Sequence, residues 1–207
     1  MIKKLLIATH NPAKLKELKI SLKPLKKKGI KILSLDDLKI TSKQEETGTS
    51  FKQNAKLKAK YYASLTNLIT ISDDGGLCIK ELNGEPGVKS RNWLGYEATD
   101  EELIIYALKR LKRKTIKQRR AYLETCVCLY NPKDKKSFFE SKRIYGYIAK
   151  RPTRKRELGY PFRSLFIIKV KNRNKYYNSL SGDMEEVNHR MMAAKRLINK
   201  IKNYLLK

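Results

Sequence analysis

Acidic residues are scarce in this chain: 20 Asp and Glu stand against 48 Lys and Arg, a formal net charge of +28. Such a balance attracts polyanions, whether nucleic acid or nucleoside triphosphate, without choosing between them. The basic residues are spread out (Lys26-Lys27-Lys28, Lys109 to Lys117, Arg151 to Arg156) rather than gathered in one tail, which a Lys-rich composition alone would also produce. Zinc-finger spacing, Gly-Phe RNA-binding strands and aromatic-basic interleaving are all missing, so the familiar nucleic-acid modules are excluded. No apolar run reaches the ~18 residues of a membrane-spanning helix. The apolar start, Ile2 to Ala8, breaks off at Thr9-His10-Asn11-Pro12, which is no signal peptide. Cys78, Cys126 and Cys128 form no disulfide framework, and Cys126-Val127-Cys128 has no nearby histidine to complete a zinc set. These absences predict a cytoplasmic protein without a membrane segment.

What is present suffices for a core. Hydrophobic residues make up 41% of 207, enough for one domain over residues 1–207, with room for a small lobe. Residues 2–8 read as a strand buried on both faces. Asn11-Pro12 opens a helix with a Leu15, Leu18, Leu22, Leu25 stripe. Ile30 to Leu35 is a second strand. Ser50-Phe51-Lys52-Gln53 is a capping box for a helix to about Leu65. Leu68 to Ser72 and Leu77 to Lys80 read as separate strands flanking a turn. Thr99-Asp100-Glu101-Glu102 caps another helix, ending near Leu111. Arg119 to Tyr130 and Lys136 to Ala149 suggest an antiparallel pair through Asn131-Pro132. Leu165 to Val170 is a last strand, and Asp183 to Leu205 one long helix with a Val187, Met191, Ala194, Ile198, Ile201, Leu205 stripe. Strands alternating with helices, then a hairpin, predict an α/β or α+β mixed sheet.

Several residues do not belong to that fold arithmetic. Ile71-Ser72-Asp73-Asp74-Gly75-Gly76 sets two carboxylates side by side at the expected strand end. They repel unless a cation is near, and Mg²⁺ prefers hard oxygen ligands. Lys58 falls inside the apolar stripe of Phe51, Ala55, Ala59 and Tyr62. A lysine there either snorkels or meets an anion. Thr9-His10-Asn11-Pro12-Ala13-Lys14 stands where a strand hands over to a helix N-terminus, which favours phosphates, and Lys14 adds a charge the helix dipole disfavours. Glu45-Glu46-Thr47-Gly48 reads as a polar loop. His189-Arg190 is either a solvent-facing pair or a contact for a planar base or phosphate.

In order along the chain, Thr9-x-Asn11-x-x-Lys14, Glu46-Thr47-Gly48, Asn54-Ala55-x-x-Lys58-Ala59, Asp73-Asp74-x-Gly76-Leu77, Gly84-x-Pro86-Gly87 and His189-Arg190 resemble the inosine triphosphate pyrophosphatase family, which removes non-canonical purine nucleoside triphosphates. The resemblance runs from residue 2 to the terminal helix. It implies an elongated two-lobed mixed sheet with a central cleft, a homodimer, and Mg²⁺-dependent hydrolysis of ITP, dITP or XTP to monophosphate and pyrophosphate, with no need for nucleic acid. By the same resemblance, Thr9, Asn11, Lys14 and Lys58 are substrate ligands, and Glu46, Asp74 and Asp73 are the metal acids. Asp74 is also the base that activates water. Gly75, Gly159, Tyr160, His189 and Arg190 belong to the nucleotide pocket.

The pattern is broken at Gly75 (Ser or Thr in the family), Leu158 (aromatic), Pro161 (acid) and Met184 (lysine). All concern the base and substrate pocket more than the metal site, so base preference is left open, with Arg163 a possible replacement donor. The alternatives are a pyrophosphatase for other modified nucleotides, and a basic RNA- or ribosome-associated protein on a degenerate fold.

Overall fold

The computed structural model describes residues 3–180 and 187–206. Among them is a seven-stranded sheet in the order β2-β1-β3-β4-β5-β6-β7. The strands are β1 Lys4–Ile7, β2 Lys31–Ser34, β3 Ile69–Ile79, β4 Arg120–Asn131, β5 Lys136–Ile148, β6 Phe166–Val170 and β7 Arg173–Tyr176. The helices are α1 Pro12–Ser21, α2 Lys23–Lys26, α3 Phe51–Thr66, α4 Asp100–Arg110, α5 His189–Arg196 and α6 Ile198–Leu205. The mixed α/β sheet is therefore as expected. No helix among the described residues is long and apolar enough to cross a membrane.

The chain divides into two compact units. The first holds residues 1–74, 125–142 and 189–207, and the second 75–124 and 143–188. In the first unit β1 pairs in parallel with both β2 and β3. The two crossovers take opposite faces. Leu18 of α1 and Leu22 at its C-terminal cap pack with Leu5, Ile7 and Ile71, while Tyr62 of α3 packs with Leu6 and Ala8. A parallel sheet whose order reverses at its first strand opens a crevice at the carboxyl ends of the two strands that part there. Here those are β1 and β3, the strands that lead to Thr9 and to Asp73. The second unit has its own core, in which Leu77, Leu103, Ile104, Phe162, Phe166 and Tyr177 are buried together.

Three expectations need correction. Asp73-Asp74-Gly75-Gly76 is no turn, because β3 runs unbroken from Ile69 to Ile79. Gly76 is needed there for space: a Cβ would lie 2.2 Å from Ser90 Oγ and 2.7 Å from the Gly87 carbonyl. The terminal helix is two helices parted at Leu197, and the expected start at Asp183 lies outside the described residues. Strand β7 was not foreseen, since Arg173-Asn174-Lys175-Tyr176 lacks apolar alternation. It exists because Lys171 and Asn172 both take positive φ, 46° and 63°. Two such residues make the tight turn whose twist suits a hairpin, and β7 pairs antiparallel with β6.

The caps behave as their chemistry dictates. Thr99 and Glu102 form the full reciprocal box at α4. At α3, Ser50 Oγ accepts from Gln53 N, but the Gln53 carbonyl takes the Thr49 N–H at 2.7 Å instead of closing the box.

Candidate active site

Strand geometry sorts the two acids. Successive side chains point to opposite faces, so Asp73 meets α1 and α5 while Asp74 meets α3. Asp73 is fully buried. Its Oδ2 accepts from Arg190 Nε at 2.7 Å and lies 3.2 Å from Lys14 Nζ. Burial alone would raise this carboxyl, but Arg190, Lys14 and Lys58 overcome it and hold Asp73 well below the usual carboxylate range. Its other oxygen, Oδ1, is buried and has no hydrogen-bond partner among the described residues. On the opposite face, Asp74 Oδ2 accepts from Asn54 Nδ2 at 3.0 Å, and Oδ1 lies 3.8 Å from Lys58 Nζ. Burial raises Asp74, against the lowering pull of Lys58 and Lys14, and Glu46 pushes it further up. The neighbouring acids therefore differ in kind. Asp73 is a locked anion, and Asp74 a more basic carboxylate.

Lys58 is not a snorkelling residue. Its Nζ sits 2.5 Å from Glu46 Oε1, between that carboxylate and Asp74, with the side chain 13% exposed. The Glu46 segment is more than a polar loop, because Asn54 latches it to the strand: Asn54 Oδ1 accepts the Gly48 N–H at 2.7 Å while Nδ2 holds Asp74. A Cβ on Gly48 would stand 2.6 Å from that same Asn54 oxygen, so only glycine fits the latch.

At the other helix, Asn11 is an N-cap. Its Oδ1 accepts from Ala13 N and Lys14 N, and its own N–H donates to Thr9 Oγ1. Those two N–H groups are thus occupied, contrary to the expectation that the helix start leaves them to a phosphate. Lys14 is partly exposed at 15%. Burial lowers its pKa, against Asp73, and Lys58 and Arg190 lower it further; an arriving anion would offset the repulsion from those two cations.

His189 and Arg190 are buried, not solvent-facing. Arg190 spans two acids, with Nε on Asp73 and Nη1 on Glu17 Oε2, each at 2.7 Å. Glu17 was missed by sequence reasoning, yet it is buried on α1 and completes a line Glu17–Arg190–Asp73–Lys14. A signal existed: Glu17 follows Lys14 by three residues, hence shares its helix face.

In the second unit, Gly159 has φ +82° and donates its N–H to Asp100 Oδ2 at 2.7 Å. The Arg163 guanidinium lies 3.4 Å from the Tyr160 ring centroid and pairs with Glu157 at 3.0 Å. Arg163 is 3% exposed, a burial it shares with His189 and Arg190. Leu158, where the family has an aromatic, is 78% exposed. Met184 lies outside the described residues.

A magnesium ion suits the Glu46–Asp74 pair. Both are oxygen donors, their like charges raise Asp74, and a cation, the Lys58 ammonium, already stands between them. Among the described residues no three His, Cys, Asp or Glu side chains gather as a metal cage, and Asp73 faces away with Arg190 and Lys14. Of the three acids expected at a metal, Glu46 and Asp74 share Lys58 and Asp73 does not, and two carboxylates suffice where phosphate oxygens and water complete a shell. The cysteines take no part: all are buried, and burial pushes the Cys128 thiol up to about 12.

The comparisons with known proteins agree over nearly the whole length. A dITP/XTP pyrophosphatase of Bacillus subtilis is 34% identical over 197 residues, covering 95% of this chain and 96% of that protein. One from Thermoanaerobacter pseudethanolicus is 36% identical over 204 residues, covering 99% and 97%. The solved structure of a HAM1 protein from Coxiella burnetii superposes with a TM-score of 0.81 at 28% identity, over 97% of this chain and 99% of that one. With residues 5–200 matching its family profile, the chain belongs to the Ham1 family.

Proposed function

We propose that this protein hydrolyses non-canonical purine nucleoside triphosphates of the dITP and XTP type, releasing the monophosphate and pyrophosphate. The observation that carries the reading is the pair of unlike carboxylates on β3, each backed by its own lysine. The names borne by relatives of this identity and coverage support the substrate class.

Asp74 is the base. Burial raises its proton affinity, and the Asn54 amide fixes one oxygen so that the other is aimed. It takes the proton of the water that attacks the α-phosphorus. Lys58 leaves Glu46 and Asp74 for the phosphates, and Lys14 joins it, so that both ammoniums meet charge growing on the departing pyrophosphate. Glu46 and Asp74 would hold Mg²⁺, and the ion would supply neutralisation of the phosphate oxygens there. Asp73 stays ionised and holds Arg190 and Lys14 in place. By the family resemblance, His189, Gly159 and Tyr160 are the residues that bear on base selection. With Leu158 and Pro161 in place of an aromatic and an acid, discrimination against adenine is flatter than in a site rich in hydrogen bonds. Homodimer formation carries over from the resemblance and is checked by light scattering.

The test is pyrophosphate release over ITP, dITP, XTP and the standard triphosphates with Mg²⁺, in parallel with Asp74→Asn. The variant should fold and lose at least ~100-fold in kcat. Wild-type kcat in folded Asp74→Asn would remove the mechanism, and inactivity on every triphosphate would remove the function.

A further inference from the structure

The second unit contains a groove of about 690 Å³, within the range of ligand clefts but built unlike the site above. Ile105 and Leu108 form an apolar ledge, and Lys109, Lys112, Arg113 and Lys150 stand around it. Among the described residues no Asp or Glu lines it. Lys114, also in the wall, is already paired with Glu81 at 2.6 Å.

The informative residue is Arg119, which lines the groove at 2% exposure. Its Nε, Nη1 and Nη2 donate to the carbonyls of Ile148, Leu111 and Ala149 at 2.7, 2.6 and 2.7 Å. Carbonyls satisfy hydrogen bonds but do not neutralise charge, and among the described residues no carboxylate pairs with Arg119. Burial accordingly pulls its pKa down. Buried charges are ordinarily paired; this one is an exception.

A generally basic composition does not account for the pattern. Arg91, Arg110, Arg143 and Arg156, in the same unit, each have a carboxylate: Asp100, Glu85, Glu124 and Glu101. The groove wall receives one of the unit's acids, Glu81 on Lys114, and among the described residues none pairs with Lys109, Lys112, Arg113 or Lys150. The C-terminal dipole of α4 explains cations at Lys109 and Lys112. It also accounts for Arg119, whose Nη1 donates to the carbonyl of Leu111 at the end of α4, but not for Lys150, which follows β5.

We propose that this groove binds the phosphodiester backbone of single-stranded RNA, as a second function beside triphosphate hydrolysis. A single phosphate would leave most of the surrounding cations unmatched, whereas a strand presents one charge per nucleotide to a row of them. No aromatic ring lines the groove, so bases are not stacked and binding is indifferent to sequence. The formal charge of +28 steers any such strand inward.

The experiment measures anisotropy of a fluorescent RNA oligomer of about 12 nucleotides against salt, without triphosphate. Wild type is compared with the combined variant Lys109→Glu, Lys112→Glu, Arg113→Glu, Lys150→Glu. A control carries the same charge change on the exposed residues of the first unit: Lys23→Glu, Lys26→Glu, Lys27→Glu, Lys28→Glu. The groove variant should bind at least ~10-fold more weakly than the control, and its slope of log affinity against log salt should be shallower by about 2–3, at ~0.7 per lost phosphate contact. Triphosphate turnover should be unchanged, which separates this inference from the catalytic reading. Equal weakening in both variants would mean that net charge alone binds RNA and would overturn the proposal. So would absence of wild-type binding at ~0.15 M salt, or displacement of the RNA by millimolar inorganic phosphate or pyrophosphate, which marks a small-anion site. If the glutamates prevent folding, the matching glutamine set makes the same comparison.

Discussion

Arg190→Met is the perturbation that best separates two roles for one residue. If Arg190 only reads the purine, its loss leaves stability near wild type and raises KM. The structure says otherwise. The guanidinium is 3% exposed and makes 2.7 Å contacts to Glu17 and to Asp73, both buried. Methionine preserves the stem but takes this charge partner from Glu17 and one of two cations, Arg190 and Lys14, from Asp73. Breaking a buried pair by removing one member costs about 3–5 kcal/mol. For a chain of this length each kcal/mol moves Tm by ~2–4 °C, so a fall of roughly 6–20 °C is expected.

The pH dependence has a defined sign. Asp73 is depressed from 3.8, so its contribution is complete above pH 3.8 and is lost as pH falls through the lower folded value. The gap between wild type and Arg190→Met should therefore be widest near neutrality and close in acid. Urea titration at several pH values measures it. Adding Glu17→Gln to Arg190→Met should return part of the loss, because the stranded carboxylate goes with it. A stability change under ~0.5 kcal/mol at pH 7 would refute the clamp and return Arg190 to the role of reader alone.

Lys58→Met should cut kcat by ~100-fold or more and cost about 1–2 kcal/mol, because Asp74 loses its nearest cation while Glu46, half in solvent, loses little; equal activity with lower stability would make Lys58 structural. Asn54→Ala strands the Gly48 N–H and an oxygen of Asp74, at about 1–3 kcal/mol each, and should lower kcat as well as the urea midpoint; an unchanged kcat would show that the latch does not aim the base. Leu158→Phe restores an aromatic at an exposed position, so stability should hold within ~0.5 kcal/mol while kcat/KM for dITP over dATP rises; no change in that ratio would take Leu158 out of base recognition.

Much of this site was legible from residue type and spacing. Lys58 announced itself by interrupting the stripe of Phe51, Ala55, Ala59 and Tyr62, and the structure shows carboxylates waiting for it. Asn11 was readable as a cap because its side chain acts on residues two and three positions on. Local contacts of this kind survive reduction to a string. What did not survive was orientation. Asp73-Asp74-Gly75-Gly76 has turn composition, and only pairing with neighbouring strands holds it extended. Glu17 and Arg190 are 173 residues apart, and no periodicity links them. The Lys171-Asn172 turn was hidden because neither residue is glycine.

The extended path of β3 has a consequence for how the site tolerates change. Adjacent positions on a strand are as far apart in aim as two side chains can be. A deletion of one residue between Ile69 and Asp73 would keep the ladder of backbone hydrogen bonds and rotate every later side chain to the other face. Asp74 would then be presented to Arg190, and Lys58 would look at Gly75. Such a protein would lose its core along with its chemistry, because Leu77 and Ile79 would turn out of the second unit's interior and Leu77 would stand where only Gly76 has room against Ser90 and Gly87. Point substitutions here can be graded, but length changes in this strand are all-or-none.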